Sequence, residues 1–130
     1  MKLLLDSCTF LRLIWNEPDL PASAREQIRA PENELFLSAA SLWEMLIKHG
    51  AGKLEVRAPG PAHRHFARMR EAHRIEALPV TEAELAHLAA LPPLHRDPFD
   101  RILICQAIEH GLTILTPDPA IRRYPVKTLW

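Results

Sequence analysis

Lys2-Leu3-Leu4-Leu5-Asp6-Ser7 is the stretch on which the reading of the fold turns: a short apolar run that ends abruptly on an acid. The run reads as a strand, and the apolar segment Phe10 to Trp15 after it as a helix. Pro18–Pro21 punctuates, and Ala22–Arg29 reads as a polar amphipathic helix. Leu35–Leu37 is a second short strand, running into a helix from about Ser38 to His49 that Ala51-Gly52 closes. Beyond the break at Pro59-Gly60-Pro61, Ala62–His73 has helical composition and Ile75–Val80 offers a buried strand. Thr81–Ala90 reads as a helix opened by a capping box from Thr81 to Glu84 and ended by Pro92-Pro93. A further helix starts at Asp97-Pro98 and stops at Gly111. Thr113–Leu115 is a strand, Pro117–Ile121 a single helical turn and Val126–Leu129 a last strand. Short apolar strands alternating with helices indicate an α/β domain with a mainly parallel central sheet flanked by helices. In such open sheets the site lies beyond the carboxyl ends of the strands.

The chain of 130 residues fits one domain, 1–130. Its 48% hydrophobic and 25% charged residues exclude a disordered chain. No apolar stretch approaches the ~20 residues of a membrane helix, and Asp6 interrupts the N-terminal run too early for a secretory signal. Cys8 and Cys105 stand in apolar surroundings without metal-ligand spacing, so both are expected to be reduced core residues of a cytoplasmic protein.

Five carboxylates carry the chemistry. Asp6 follows the first strand and Asp118 lies three residues after Leu115, so parallel central strands would bring them to one edge of the sheet. Each reads equally well as a helix N-cap. Asp97, before Pro98, is a standard helix start, and Asp100 one turn later faces the same side. Glu44 sits in Leu42-Trp43-Glu44-Met45-Leu46-Ile47, where an unpaired buried acid is costly. A capping box with Ser41 or an i,i+4 pair with Lys48 would account for it without a functional role. Carboxylate oxygens without a cysteine or histidine cluster select Mg²⁺ or Mn²⁺ over Zn²⁺, and the chemistry suggested is metal-assisted phosphodiester hydrolysis.

The same residues carry a resemblance. Leu3-Leu4-Leu5-Asp6-Ser7, Ser38-Ala39-Ala40-Ser41-Leu42-Trp43-Glu44, His95-Arg96-Asp97-Pro98-Phe99-Asp100-Arg101-Ile102-Leu103-Ile104 and Leu115-Thr116-Pro117-Asp118 resemble, in order and over essentially the whole chain, the motifs of PIN-domain nucleases. The VapC-type toxins of toxin–antitoxin pairs are the nearest in pattern. The resemblance implies a PIN-like α/β/α fold and a Mg²⁺- or Mn²⁺-dependent endoribonuclease. Asp6, Glu44, Asp100 and Asp118 would form its acidic metal site, with Asp97 as an added ligand or supporting acid. Thr116 matches the family's hydroxyl residue before the last acid, and Ser7 a small hydroxyl residue after the first. Cys8 and Thr9 depart from the pattern and receive no role. The resemblance also implies an RNA substrate, with transfer RNA in view, and a cognate antitoxin that occludes the acids; a homodimer is a separate expectation.

The formal net charge of zero hides an uneven distribution. Up to Val56 there are 6 bases and 8 acids, from Arg57 to Arg74 5 and 1, and thereafter 5 and 7. Arg64 and Arg68 share a helix face within the basic segment, and Arg96 and Arg101 flank the acids. These four are the candidate RNA contacts, although a solvated helix face would look the same. The apolar Phe10–Trp15 and Trp43–Leu46 regions are candidate partner surfaces, with core burial the alternative. Two other functions compete. Asp6-Ser7-Cys8-Thr9 partly matches the DxDxT start of haloacid-dehalogenase-like phosphatases, but Cys8 stands where their general acid is needed. An inactive or partner-dependent carboxylate-lined binding module is the non-enzymatic alternative.

Overall fold

In the computed structural model, which describes residues 1–130, Leu3, Leu4 and Leu5 are all fully buried. They belong to β1 (Lys2–Leu5), the centre of a five-stranded sheet ordered β3-β2-β1-β4-β5 in which every pairing is parallel. Successive strand residues point to opposite faces. Accordingly, Leu3 and Leu5 join Phe10, Met45 and Phe66 in one core cluster, while Leu4 joins Leu103, Ile104 and Ile114 in the other. A strand apolar at consecutive positions therefore needs cover on both faces, and helices supply it.

The remaining strands are β2 (Glu34–Ser38), β3 (Ile75–Leu78), β4 (Thr113–Leu115) and β5 (Thr128–Leu129). One face is covered by α1 (Ser7–Ile14), α2 (Ala22–Arg29), α3 (Ala39–Gly50) and α4 (Ala62–Ala72). The other carries α6 (Pro98–His110) and α7 (Pro119–Arg122), with α5 (Glu82–Leu85) packed on α6. No helix is long and apolar enough to cross a membrane. The chain moves outward from β1 through β2 to β3, then crosses to the far side of β1 to form β4. Connections leaving β1 and β4 diverge, which opens a crevice at their carboxyl ends.

The last strand shortens to Thr128–Leu129 and the turn before it shifts to Pro119–Arg122, and three further boundaries differ from expectation, each for a local reason. The first helix begins at Ser7 instead of Phe10, because Asp6 caps it by accepting from the Thr9 amide at 2.8 Å. The strand Ile75–Val80 ends at Leu78, since Pro79 has no N–H for a ladder. The continuous helix over Thr81–Ala90 is instead α5 and a separate 3-10 turn, Leu88–Ala90. Glu84 is its pivot: fully buried, it accepts from the Thr81 amide at 2.7 Å and bonds the His110 ring at 2.7 Å. Gly111 closes α6 in the left-handed conformation at φ 65°, the usual glycine helix stop.

Candidate active site

Four segments converge on the crevice, and helix capping explains the direction of three of the acids. Asp6 uses Oδ1 for the Thr9 amide, Asp97 uses Oδ1 for the amides of Phe99 (2.9 Å) and Asp100 (3.2 Å), and Asp118 uses Oδ1 for Ala120 (2.8 Å). A carboxylate has two oxygens, so a cap leaves the second available. The capping role and a role in the crevice are therefore compatible in the same side chain.

The second oxygen of Asp6 accepts from the Thr116 hydroxyl, which also accepts the Asp118 amide at 3.0 Å. One threonine thus links the acid after β1 to the acid after β4. Thr9, fully buried, adds a brace by donating its hydroxyl to the Leu115 carbonyl at 2.8 Å. Glu44, on α3, accepts from the Ser7 hydroxyl and pairs with Lys48 at 3.4 Å. The capping box with Ser41 does not form: Ser38 caps α3, and the buried Ser41 hydroxyl has no partner. Asp100 is bonded through Oδ2 to His95 Nε2 at 3.0 Å.

Burial disfavours the charge on two of these acids. Burial is the main cause raising the Asp6 pKa, against which the Thr116 and Thr9 hydrogen bonds pull it down. Asp100 is pushed up to about 6, first by burial and then by the charges of Asp97, Asp118 and Glu44, with the His95 hydrogen bond opposing. Its neighbours thus add negative potential that the nearby bases, with Lys48 on Glu44, offset only in part.

All five carboxylates line one cleft of ≈ 630 Å³, with Ser7, Cys8, Arg12, Lys48 and Lys53 around them. No three acidic, histidine or cysteine side chains are close enough as they stand to enclose an ion. The donor set still fits a hard divalent cation. All donors are oxygens, the five carboxylates outnumber the bases Arg12, Lys48 and Lys53 that share the cleft, and Mg²⁺ characteristically takes only one or two protein carboxylates and keeps its waters. A cation in the cleft would relieve the charge that burial disfavours on Asp6 and Asp100.

The predicted bases divide. Arg64 and Arg68 are exposed on α4 and do not line the acidic cleft; Arg96 is exposed beside Asp97. Arg101 is half-buried, its Nη1 donating to the Pro92 carbonyl at 3.1 Å and the Tyr124 hydroxyl at 2.9 Å, so this atom braces the fold. Composition missed Lys53 and Arg12 at the cleft rim, because neither lies in a basic run. Cys8 corrects the expectation of two core thiols: Cys105 is buried, but Cys8 is exposed at the cleft. Because α1 starts three residues early, Thr9 and Phe10 take its buried positions. His95 and Tyr124 were also missed. The two rings meet edge to face at 5.3 Å, with His95 Nδ1 2.8 Å from the Tyr124 hydroxyl.

Comparison with known proteins accords with this geometry. Residues 3–127 match the family described as PIN domain. Among solved structures, VapBC2 from Rickettsia felis, bound to a DNA fragment from its promoter, superposes with a TM-score of 0.70 at 17% identity, covering 99% of this chain and 98% of that one. DNA-bound VapBC from Salmonella typhimurium gives 0.66 at 19%, covering 99% and 97%. The PIN domain endonuclease Utp24 gives 0.54 at 15%, covering 94% and 74%. At these identities the likeness is one of fold. No curated protein sequence matches the chain significantly.

Proposed function

The chain belongs to the PIN-domain family, whose members are generally nucleases, and on that premise we propose that it is a metal-dependent endoribonuclease, the toxin of a VapC-type toxin–antitoxin pair. One observation carries the reading: five carboxylates from four chain segments line a single cleft at the carboxyl ends of β1 and β4. Family membership also removes the phosphatase alternative, whose second acid would have to be Cys8.

Asp6, Glu44, Asp100 and Asp118 would hold Mg²⁺ or Mn²⁺, with Asp97 adding charge. When bound, the ion supplies Lewis-acid activation of water and charge compensation at the scissile phosphate. The chain does the rest by positioning. Thr116 holds the second oxygen of Asp6, and Ser7 holds Glu44 Oε1, so neither carboxylate has to be ordered as substrate arrives. Lys48 and Lys53 at the rim offset the acids toward an incoming polyanion. The next depression, ≈ 580 Å³, shares Lys53 and Leu54 with the cleft and continues to Arg57 and His65, giving a path toward Arg64 and Arg68 on α4. Arg96 lies beside the acids.

The structural neighbours named VapBC support an antitoxin partner, which would silence the enzyme by covering the acids. A homodimer is supported by an apolar groove of ≈ 370 Å³ lined by Ala39, Trp43, Leu85, Phe99 and Ile102. Trp43, 62% exposed, forms one wall of that groove, so a two-fold axis would let two copies pack these apolar faces together.

The deciding experiment is cleavage of RNA by the purified chain with Mg²⁺ or Mn²⁺, with Asp6→Asn and Asp100→Asn as controls. Cutting that requires metal and is lost in both variants supports the reading; cutting unchanged in both variants refutes the site. No cutting by the folded, metal-loaded wild type favours the binding-module alternative. Sequencing of cellular RNA after induction would name the substrate, transfer RNA being the first to examine.

A further inference from the structure

We infer that Arg101, Tyr124 and His95 form a directional hydrogen-bond relay that holds His95 with its Nε2–H toward Asp100 and thereby positions that carboxylate. The inference rests on the reading of Asp100 as a metal ligand and assigns His95 and Tyr124 as positioning residues for it.

The argument is an inventory of donors and acceptors at one atom. The Tyr124 hydroxyl oxygen has two lone pairs and one proton. Arg101 Nη1 donates to it at 2.9 Å, and the backbone amide of His95 donates to it at 3.2 Å. Neither donor can act as an acceptor there, so both lone pairs are occupied. The hydroxyl's own proton has one partner within reach, His95 Nδ1 at 2.8 Å. Tyr124 is only 3% exposed, which leaves bulk water no access to serve instead. His95 Nδ1 must therefore accept, and the ring's proton is on Nε2, 3.0 Å from Asp100 Oδ2. The His95–Asp100 contact is thus a hydrogen bond donated by Nε2–H to Oδ2.

The consequence is geometric. Oδ2 of Asp100 is engaged from outside the cleft by a ring that is itself fixed at Nδ1, which leaves Oδ1 as the oxygen with no partner on the chain. A carboxylate so held is restricted in rotation about its last bond, as outer-shell partners commonly restrict metal ligands. The relay also accounts for the spacing within the His95–Arg101 segment. Both ends of that segment reach the same hydroxyl, His95 from before the helix and Arg101 from its first turn, and Tyr124 arrives from beyond α7. Arg101 lies 5.9 Å over the Tyr124 ring as well, which restrains the phenol from a second direction.

The test needs the full-length, metal-free protein with ¹⁵N-labelled histidine. Long-range ¹H–¹⁵N correlation at pH 7.5 should show His95 protonated at Nε2 alone. A ring protonated at Nδ1 alone, or at both nitrogens, overturns the inference without any mutation. Tyr124→Phe keeps the ring and removes the hydroxyl. It should release the tautomer and weaken Mn²⁺ binding, read by calorimetry, by roughly 10-fold while the protein still melts cooperatively. Mn²⁺ affinity and tautomer both unchanged in Tyr124→Phe overturn the relay. Asp100→Asn separates the two claims. If it binds Mn²⁺ as tightly as the wild type, the ligand assignment fails, and with it the relay as a positioning device, whichever tautomer is seen.

Discussion

Replacing Asp100 by asparagine should make the metal-free protein more stable while destroying its response to divalent cations. The carboxyl is about 15% exposed and its pKa is raised from 3.8 to about 6. Its charged form is therefore disfavoured in the fold. The sign follows from linkage. A group whose pKa is higher folded than unfolded stabilises the protein when neutral, and that stability is lost as pH rises from about 4 through about 6. Above that window the full penalty applies. With one pKa unit worth about 1.4 kcal/mol, the penalty is about 3 kcal/mol at most. Asparagine removes the charge but weakens the bond with His95, so a net gain of roughly 1–3 kcal/mol is expected near pH 7.5.

Denaturant melts of wild type and Asp100→Asn in EDTA, at pH 7.5 and near pH 4, measure this directly. The variant should lead at pH 7.5 and the difference should shrink toward zero near pH 4, where the wild-type carboxyl is neutral as well. Added Mn²⁺ should raise wild-type stability by mass action and leave the variant almost unmoved. A variant that is no more stable than the wild type at pH 7.5 would refute the account of Asp100 as a charge held against its environment. So would a difference of the same size at both pH values.

Other outcomes follow from the same geometry. Chelation should abolish RNA cleavage, with Mg²⁺ or Mn²⁺ restoring it; cleavage that persists in EDTA counts against the metal reading. Ser7→Ala releases Glu44 Oε1 and should weaken Mn²⁺ binding roughly 10-fold without changing the melting midpoint by more than a few degrees. Lys53→Glu at the rim should raise KM for RNA and flatten its salt dependence while leaving kcat nearly intact, if the residue serves the polyanion at the cleft rim as proposed and holds none of the acids. Trp43→Asp should shift a dimer to monomer in light scattering with little effect on the melt, since the indole is 62% exposed in the single chain.

What the sequence reveals about this site depends on how local the physics is. Asp6, Asp97 and Asp118 each precede a helix, and the rule that an acid caps an N-terminus places them at strand-to-helix junctions from spacing alone. That rule looked like a rival to a functional role only because a carboxylate was counted as one acceptor. With Oδ1 on the cap, the second oxygen is directed by whatever lies across the crevice, which the rule does not describe. The partners across the crevice are the illegible part. Thr116 reaches Asp6 over a separation of 110 residues, Ser7 reaches Glu44 over 37, and Tyr124 reaches His95 over 29. None of these pairs has a periodicity or composition that announces it, because each follows from the order of strands in the sheet. Cys8 shows the same limit on a smaller scale. Hydrophobic surroundings in sequence suggested burial, yet a helix begun three residues earlier by its cap turns that thiol toward the cleft. Composition thus locates the acids, local capping orients one oxygen of Asp6, Asp97 and Asp118, and the topology of the parallel sheet supplies the hydroxyls that hold the second oxygen of Asp6 and Oε1 of Glu44.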